Sequence, residues 1–435
     1  MQKKHDLAVS IVKKLREKGF EALFAGGCVR DVVMGKEPHD YDIATSATPD
    51  QVMKIFPRTV AVGAQFGVIL VILEEDQFEV ATFRSESGYV DGRHPTQVSF
   101  TSSREDVLRR DFTVNGLLYD PLEDKVIDYI EGVQDIHHKR IRTIGDPYQR
   151  FREDKLRLLR AVRFTANLEF EMDTATFQAL RELAGEIKVV SAERIRDELI
   201  KIFTGPRPAF GLDLLSQSGL LKAILPEVEA MKGVEQPPEF HPEGDVYIHT
   251  RMLLEFLKNQ DKVLAFGSLL HDVGKPPTKT ISDRIRFNNH QNVGARMSED
   301  ILRRLRFSNH EIEDIVSCVQ NHMTFKDVRM MREAKLKRFM ARPTFEIELE
   351  MHRIDCLSSH GMLDNWTFLK EKYAEFNKEE PRPKPILTGN DLIKMGYPPG
   401  PKFKEILTAV EDAVLEKRLF TTEEAQNWVK KNFPL

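Results

Sequence analysis

Two spacings of apolar residues divide the chain near residue 150. Before that point, one helical stretch over 6–18 is followed by short runs rich in β-branched and aromatic residues. These runs predict strands over 21–25, 67–73, 78–83 and 125–129. After residue 150, Leu, Ala, Arg and Glu recur every three or four positions, and Gly or Pro marks the breaks, which predicts an array of helices.

The breaks between these segments predict four regions. Pro and Gly interrupt the helical pattern at 204–208, 235–242 and 379–385. We therefore predict an α+β fold, with a head over 1–148 that holds a small mixed sheet, followed by all-helical regions over 149–225, 226–378 and 379–435. The last region is predicted to contain two helices joined by the segment 396–401.

Composition excludes several classes of protein. The 435 residues are 41% apolar and 30% charged, which is typical of a globular chain. No apolar run approaches the roughly 20 residues that cross a bilayer, and the amino terminus leads into no signal-peptide core, so we expect a cytoplasmic protein with no membrane partner. The three cysteines form no disulfide framework. Nothing in the composition indicates a protein partner.

Charge is unevenly distributed. The whole chain has a net charge of −4, which excludes a basic coat over the entire surface. The window 139–163, however, contains nine Lys or Arg against three acidic residues, a net charge of +6. A solvated helix face is the ordinary interpretation of such a run. Its arginines at 157, 160 and 163, however, recur every three residues, and this regular spacing favours a binding surface.

A glycine turn and a pair of carboxylates form the first candidate site. Gly26 and Gly27 follow a predicted strand and open a predicted helix, where backbone N–H groups can hold a phosphate, and Arg30 adds a bidentate donor. Asp40 and Asp42 are spaced so that both carboxylates share one face of a strand, a pattern that suits Mg²⁺ in phosphoryl transfer. A tight turn with two solvated acids is the alternative. Glu79 places a charge inside an apolar strand, as a third ligand or as a base for a hydroxyl group.

Several ordered motifs carry a family resemblance. GGxVRDxxxG over 26–35, DYDIAT over 40–45 and RRDFTVN over 109–115 resemble those of the class II tRNA nucleotidyltransferase and bacterial poly(A) polymerase family, and the match continues to residue 196. The resemblance implies a polymerase-β-like head followed by a helical neck, body and tail. It implies that Asp40 and Asp42 bind Mg²⁺, that Glu79 assists the attacking hydroxyl, and that Gly27, Arg30 and Arg110 hold the nucleotide.

The basic window contains residues suited to recognising a base. Asp154, Arg157, Arg160 and Arg163 recur every three residues. Cytosine and adenine both present an amino donor beside a ring-nitrogen acceptor, so one carboxylate and one guanidinium select these two bases and reject uracil and guanine. In the resembled family Asp154 and Arg157 match the residues that template the base, and the arginines matching 160 and 163 line the nucleotide site.

The resemblance implies template-independent addition of CCA to the tRNA 3′ end from CTP and ATP, with release of pyrophosphate. The segment 85–108, including 89–95, is not shortened as in relatives that add only CC, which disfavours CC-only addition. An enzyme that adds only A and a poly(A) polymerase acting on other RNAs stay open as alternatives.

The helical half contains a second candidate site. Its His and Asp residues follow the order H…HD…H…H…D, which resembles the HD superfamily of metal-dependent phosphohydrolases; they are His249, His271, Asp272, His290, His322 and Asp355. Imidazole and carboxylate ligands suit Mn²⁺, Ni²⁺, Zn²⁺ or Fe²⁺. An HD phosphohydrolase acting on RNA phosphodiesters or 2′,3′-cyclic phosphates is thus the alternative function from another class, and a degenerate helical spacer is the alternative without chemistry.

Overall fold

The computed structural model describes residues 2–63, 67–89, 95–239, 241–377, 386–416 and 418–434. Within the segment 89–95, residues 90–94 lie outside the described residues, as does the predicted break at 379–385. The chain forms two units. The first comprises Met1–Glu229, Leu257–Gln260 and Arg304–Phe307, and the second comprises Ala230–Phe256, Asp261–Arg303 and Ser308–Leu435.

The first unit contains the mixed sheet. The strands of this unit are β1 (Ala22–Ala25), β2 (Asp42–Thr45), β3 (Thr59–Gly63), β4 (Val68–Leu73), β5 (Asp76–Thr82), β6 (Arg84–Tyr89), β7 (Pro95–Phe100), β8 (Leu118–Asp120), β9 (Lys125–Ile127), β10 (Arg140–Ile141) and β11 (Glu171–Met172). Seven of them form one sheet in the order β3-β4-β5-β2-β1-β8-β9. All neighbours in this sheet are antiparallel except β2 and β5, which are parallel.

Helices cover the sheet and form the rest of the first unit. They are α1 (Gln2–Glu17), α2 (Gly27–Val33), α3 (Pro49–Ile55), α4 (Ser103–Leu108), α5 (Gly132–His137), α6 (Pro147–Glu153), α7 (Leu156–Leu168), α8 (Thr174–Leu183), α9 (Ala192–Phe203), α10 (Pro208–Gln217), α11 (Leu220–Ile224) and α12 (Pro226–Glu229). Short 3₁₀ helices span Thr113–Asn115 and Ala184–Val189. The apolar residues of α7, such as Leu158, Leu159 and Val162, are fully buried, which fixes the orientation of its arginines.

The described residues of the second unit form helices and one hairpin. Its helices are α13 (Val246–Glu255), α14 (Lys262–Leu270), α15 (Lys275–Thr278), α16 (His290–Arg304), α17 (Asn309–Asn321), α18 (Glu333–Met340), α19 (Phe345–Leu357), α20 (Asp364–Phe376), α21 (Gly389–Lys394), α22 (Pro401–Leu415) and α23 (Thr422–Asn432), and a 3₁₀ helix spans His322–Met330. Strands β12 (Lys279–Ile281) and β13 (Ile285–Phe287) pair antiparallel.

Two expectations about the helical half were wrong. The hairpin β12–β13 contradicts the expectation of helices only, because Ile281 and Ile285 pair directly across a short polar turn. The described residues of the last region form three helices rather than two. Its extra break precedes α23, where Thr421 and Glu424 form a capping box that begins a new helix.

No described helix is both long enough and apolar enough to cross a lipid bilayer.

Candidate active site and histidine cluster

Two acidic side chains lie next to each other where β2 and β5 pair. The parallel register aligns Ile43 with Val80, whose side chains are buried. One residue earlier on each strand, Asp42 and Glu79 therefore lie side by side on the opposite face. Both line a cleft of about 880 Å³ in the first unit.

The environment of Asp42 is suited to a cation. Burial within the cleft raises the pKa of Asp42 to about 6, and the Glu79 and Asp40 carboxylates add to the rise, while Arg110 opposes it. Adjacent carboxylates that disfavour each other's charge are stabilised by a divalent ion, so the donor set fits Mg²⁺.

Asp40 does not share the strand face with Asp42. Strand β2 begins at Asp42, so the alternation of a strand does not extend back to Asp40. The Asp40 side chain is 83% exposed and pairs with Lys4 Nζ of α1 at 2.6 Å. The structure thus brings Asp42 and Glu79 together and places Asp40 at the edge of the site, against a lysine.

The glycine turn lies directly beside these carboxylates. Gly26 has a φ of 76°, in the left-handed region, and ends β1 immediately before α2. A Cβ atom at Gly26 would lie 3.3 Å from Arg110 Nη1 and 3.9 Å from Asp42 Oδ2, so glycine permits the close approach of both groups. Gly27 and Arg30 also line the cleft.

The arginines of the turn are held by neighbouring side chains. Arg30 donates from Nη1 to Asn115 Oδ1 at 2.9 Å and pairs with Asp31 at 2.8 Å. Arg110 Nη2 pairs with the buried Asp106 at 2.9 Å. Both guanidinium groups are therefore preorganised on one wall of the cleft, where they can bind phosphate oxygens.

Asp154 and Arg157 lie on the same cleft, each held by several contacts. Asp154 is not part of α7. It ends α6, and its carboxylate accepts from Leu156 N at 3.0 Å and from Arg194 Nη2 at 2.9 Å. Arg157 is buried and donates to Glu153 Oε2 at 2.7 Å and to the Arg109 carbonyl at 3.1 Å.

Arg160 and Arg163 differ in their positions. Arg160 lines the cleft and donates from Nε to Asp111 Oδ2 at 2.7 Å. Arg163 instead pairs with the buried Glu198 at 3.1 Å, and it is not among the residues that line the cleft. The Phe164 ring lies against both guanidinium groups, at 5.2 Å from Arg160 and 4.3 Å from Arg163.

Three residues that hold this site were not singled out from the sequence. They are Asp106, Asn115 and Arg194. Asn115 and Arg194 belong to the motifs 109–115 and 192–196, so their motifs were visible but their contacts were not. Asp106 gives no sequence signal, because its role comes from a fold that buries it between Arg109 and Arg110.

The structure brings all six predicted residues of the second site together within the second unit. His249 Nε2 lies 3.0 Å from Asp355 Oδ1, and His271 Nε2 lies 3.1 Å from Asp272 Oδ2. His290 Nε2 lies 3.1 Å from His322 Nε2, and both lie within 3.8 Å of Asp272 Oδ1. Among these six residues, two groups can each hold a metal ion: His249, His271 and Asp355, and Asp272, His290 and His322. A third group of possible ligands, His241, Glu243 and His249, shares His249 with the first.

Hydrogen bonds orient three of these imidazoles. The Nδ1 atoms of His271, His290 and His322 donate to the carbonyls of Ser268, Phe287 and Val319, at 2.8, 2.8 and 2.7 Å. Because Nδ1 carries the proton, the lone pair is on Nε2, which faces the cluster. The Nε2 atoms of His290 and His322 then face each other as acceptors, an arrangement that a shared metal ion relieves.

Burial supports the same conclusion. It lowers the pKa of His322 to about 3 and also lowers the pKa of His290, so both rings are neutral, the form that binds metal. His271 Nε2 is buried without a hydrogen bond in the described part of the chain. The buried Lys275, not singled out from the sequence, pairs with Asp272 Oδ2 at 2.7 Å.

Family models match three parts of the chain. The Poly A polymerase head domain matches residues 22–142, the "Probable RNA and SrmB- binding site of polymerase A" matches 169–232, and tRNA nucleotidyltransferase domain 2 matches 287–428. The head-domain match contains Asp42, Glu79 and the glycine turn.

One curated relative is similar over most of the chain and another over almost half of it. A CCA-adding enzyme of Lactococcus lactis subsp. cremoris (strain MG1363) is 32% identical over 418 residues, which cover 95% of this chain and 92% of the relative. A CCA-adding enzyme of Staphylococcus aureus (strain MRSA252) is 46% identical over 196 residues, 45% of this chain and 49% of the relative.

A solved structure has a similar fold. The Bacillus stearothermophilus CCA-adding enzyme in complex with CTP aligns with a TM-score of 0.76 and 27% identity, over 98% of this chain and 96% of that one. A Thermotoga maritima CCA-adding enzyme complexed with tRNA aligns with a TM-score of 0.57 at 18% identity, over 98% and 94% of the two chains, which supports the fold alone.

Proposed function

The chain belongs to the CCA-adding enzyme family, and from this premise we propose that its first unit adds C, C and A to the 3′ end of tRNA. CTP and ATP supply the nucleotides, and each addition releases pyrophosphate. The observation that carries the proposal is a single cleft that joins adjacent carboxylates, a phosphate-binding turn and a carboxylate–arginine pair. Because the protein's own side chains recognise the base, no nucleic-acid template is needed.

The carboxylate end of the cleft is where the bond forms. We assign Asp40 and Asp42 as Mg²⁺ ligands, with Asp40 exchanging its ion pair with Lys4 for the metal. Mg²⁺ bound there neutralises charge on the reacting oxygens. Glu79 lies beside Asp42 and accepts the proton of the tRNA 3′-hydroxyl, which then attacks the α-phosphate and displaces pyrophosphate.

The glycine turn and its arginines hold the triphosphate. Gly27 lines the cleft at the start of α2, where its backbone N–H can bind phosphate, and Arg30 and Arg110 add bidentate donors. The Gly26 N–H itself donates to the Leu117 carbonyl at 3.2 Å, so Gly26 shapes the turn. Because Asn115 and Asp106 already fix these two guanidinium groups, little side-chain entropy is lost when the nucleotide binds.

Asp154 and Arg157 recognise the base. Each carboxylate oxygen of Asp154 has two lone pairs and uses one on its protein donor, so a lone pair is left to accept the amino group of cytosine or adenine. Arg157 has five N–H donors, and its bonds to protein acceptors leave others for the adjacent ring nitrogen. We assign Arg160 to the wall of the nucleotide site. Arg163 supports this wall indirectly, because its guanidinium group packs on the Phe164 ring, which also lies against Arg160.

Three tRNA transcripts test this function. One lacks the whole CCA end, one ends in CC and one is complete, and each is incubated with CTP, ATP and Mg²⁺, with one of the two nucleotides labelled. We expect three additions to the first transcript, one to the second and none to the third. Extension of only the CC-ended transcript would identify an A-only enzyme, and long tails would identify a poly(A) polymerase. Asp42→Asn abolishes every addition.

The four predicted regions have corresponding roles in this proposal. They are a catalytic head over 1–148, a neck over 149–225 that contains the base-reading residues, an HD-type body over 226–378 and a tail over 379–435. The cytoplasmic location stays a prediction.

A second activity is favoured by the histidine cluster. We propose that His249, His271, Asp272, His290, His322 and Asp355 bind two divalent transition-metal ions, Mn²⁺, Ni²⁺, Zn²⁺ or Fe²⁺, and hydrolyse RNA phosphodiesters or 2′,3′-cyclic phosphates. The supporting observation is that buried Nε2 and carboxylate oxygens converge without enough protein donors to satisfy them. Metal bound there lowers the pKa of a coordinated water, and Lys275 offers a cation beside Asp272 for a phosphate oxygen.

The two activities are separable by mutation. His271→Ala combined with Asp272→Ala should abolish hydrolysis of a 2′,3′-cyclic phosphate and leave CCA addition intact. Asp42→Asn should have the reverse effect. Hydrolysis that survives the double substitution would exclude the histidine cluster as its site.

A further inference from the structure

His249 differs from the other three histidines of the cluster in what contacts its Nδ1 atom. His271, His290 and His322 each donate from Nδ1 to a neutral backbone carbonyl. His249 Nδ1 instead lies 2.8 Å from Glu243 Oε1, a carboxylate oxygen. His249 is completely buried and the Glu243 side chain is only 4% exposed, so this contact is shielded from water.

Backbone hydrogen bonds among the neighbouring described residues hold Glu243 in this place. The Gly244 amide donates to the His241 carbonyl, and the Gln236 amide donates to the Gly244 carbonyl, both at 3.0 Å. His241 Nδ1 donates to Glu243 Oε1 at 2.8 Å, so one oxygen contacts both imidazoles. The other oxygen, Glu243 Oε2, is buried without a hydrogen-bond partner among the described residues. Burying a carboxylate at this cost indicates a specific role rather than a solvated charge.

We propose that Glu243 is the positioning residue for the metal ligand His249, and that His241 orients Glu243 in turn. The inference rests on the proposed metal binding of the cluster. The Glu243 carboxylate, 2.8 Å from Nδ1, favours the proton on that nitrogen and so leaves Nε2, which lies 3.0 Å from Asp355 Oδ1, to bind the metal. It also increases the basicity of Nε2 more than a neutral carbonyl does.

The geometry separates this role from direct ligation by Glu243. A ligand to the predicted ion must approach the Nε2 face of His249, where Asp355 and His271 lie. Glu243 lies on the opposite, Nδ1 face of the same ring. Direct ligation by Glu243 would therefore require a further ion held with His241 and the Nδ1 atom of His249, which raises the number of ions bound.

Metal titration of the full chain tests the inference. The metal-free protein is titrated with Ni²⁺ by calorimetry, and bound metal is counted after gel filtration by elemental analysis. We expect Glu243→Gln to weaken the affinity by about 10- to 100-fold with the number of ions unchanged. Glu243→Asp should restore part of it. Glu239→Gln, an exposed change in the same loop, should leave the affinity unchanged.

A double-mutant comparison shows whether Glu243 acts through His249. In a His249→Gln background, adding Glu243→Gln should weaken the affinity no further. CCA addition should stay at the wild-type rate in every variant, which verifies folding of the first unit. An equal affinity in wild type and Glu243→Gln, or loss of a whole ion, would overturn the positioning role. Absence of Ni²⁺ binding by the wild type would instead overturn the metal site on which it depends.

Discussion

At the scale of single residues, Asp154 depends on Arg194 for its orientation. Asp154 lies between α6 and α7 and Arg194 lies in α9, 40 positions apart, and the two join through a 2.9 Å bond between Arg194 Nη2 and Asp154 Oδ2. The only other donor that the described residues provide to this carboxylate is the Leu156 amide, which binds the other oxygen. Arg194 thus fixes the plane in which Asp154 meets the base.

We therefore expect Arg194→Gln to loosen base selection more than it slows catalysis. Hydrogen bonds to charged groups contribute about 1.5 to 3 kcal/mol, so the preference for CTP over UTP should fall about tenfold or more. Arg194→Lys should recover part of the preference because it keeps the charge. The measurement is the ratio of kcat/KM for CTP and UTP on a tRNA lacking CCA.

Arg196 provides the matched control for this prediction. It lies two residues further along α9 and pairs with Asp197, so Arg196→Gln removes the same charge without touching Asp154. An equal drop in the CTP preference in both variants would contradict the specific role of Arg194.

Single residues of the head were more predictable than their contacts. Gly27, Arg30, Asp42, Glu79, Arg110, Asp154, Arg157 and Arg160 line one cleft, as their motifs predict. The motifs also implied Asp40 and Arg163, but the periodicity that placed them beside the others assumed a strand reaching back to Asp40 and a helix face open to the cleft at Arg163. In the structure β2 begins only at Asp42, and Arg163 is drawn to Glu198.

At the scale of elements, the histidine cluster depends on the close approach of two segments. Gly274 precedes α15, and the start of α16 packs directly against it. A Cβ atom at Gly274 would lie 2.5 Å from Gly294 N and would overlap the His290 carbonyl oxygen. Both obstacles are backbone atoms, which cannot rotate away, so only glycine allows His290 its position.

We expect Gly274→Ala to destabilise the second unit and to weaken its metal binding together. Overpacking costs about 1 to 3 kcal/mol and here displaces α16, which carries His290. Thermal unfolding and Ni²⁺ titration of the full chain measure the two effects. Gly400→Ala is the control, because its φ of 168° is extended and no atom lies within 4 Å of the added carbon. Normal metal affinity in Gly274→Ala would show that α16 tolerates the shift.

Long elements were predicted better than short ones. The amino-terminal helix and the apolar strands appear close to their expected positions, because periodicity over many residues is a strong signal. The three-residue strands β12 and β13 are too short for such a pattern, and they are stabilised mainly by each other across a turn. The break before α23 depends on a capping box that sequence periodicity does not report.

At the scale of the whole molecule, the basic window is less positive than its composition indicates. Of its nine cations, six form ion pairs with acidic residues of the first unit: Arg142, Arg150, Lys155, Arg157, Arg160 and Arg163. Most of these acids, such as Asp111 and Glu198, lie outside the window in sequence. The remaining three cations, Lys139, Arg140 and Arg152, are exposed and have no carboxylate partner among the described residues.

We expect these three cations to carry a measurable part of the affinity for tRNA. Each cation that neutralises a phosphate adds about 0.7 to 0.9 to the steepness of log K against log salt. Changing Lys139, Arg140 and Arg152 together to Gln should therefore weaken tRNA binding and flatten the salt dependence by about 2 in slope. Fluorescence anisotropy with labelled tRNA, between about 50 and 200 mM KCl, measures both.

A control of equal charge decides whether the effect is local. Lys13, Lys18 and Lys54 are also exposed cations of the first unit but lie outside the window, so changing them to Gln alters the net charge identically. If the tRNA is held by local contacts, this variant should keep the wild-type slope and affinity. If both triple variants bind tRNA equally weakly, the tRNA senses only the overall charge of the protein, and the window has no special role. A net charge of −4 argues against that outcome, because a surface that is acidic on average repels RNA unless cations are grouped where the RNA binds.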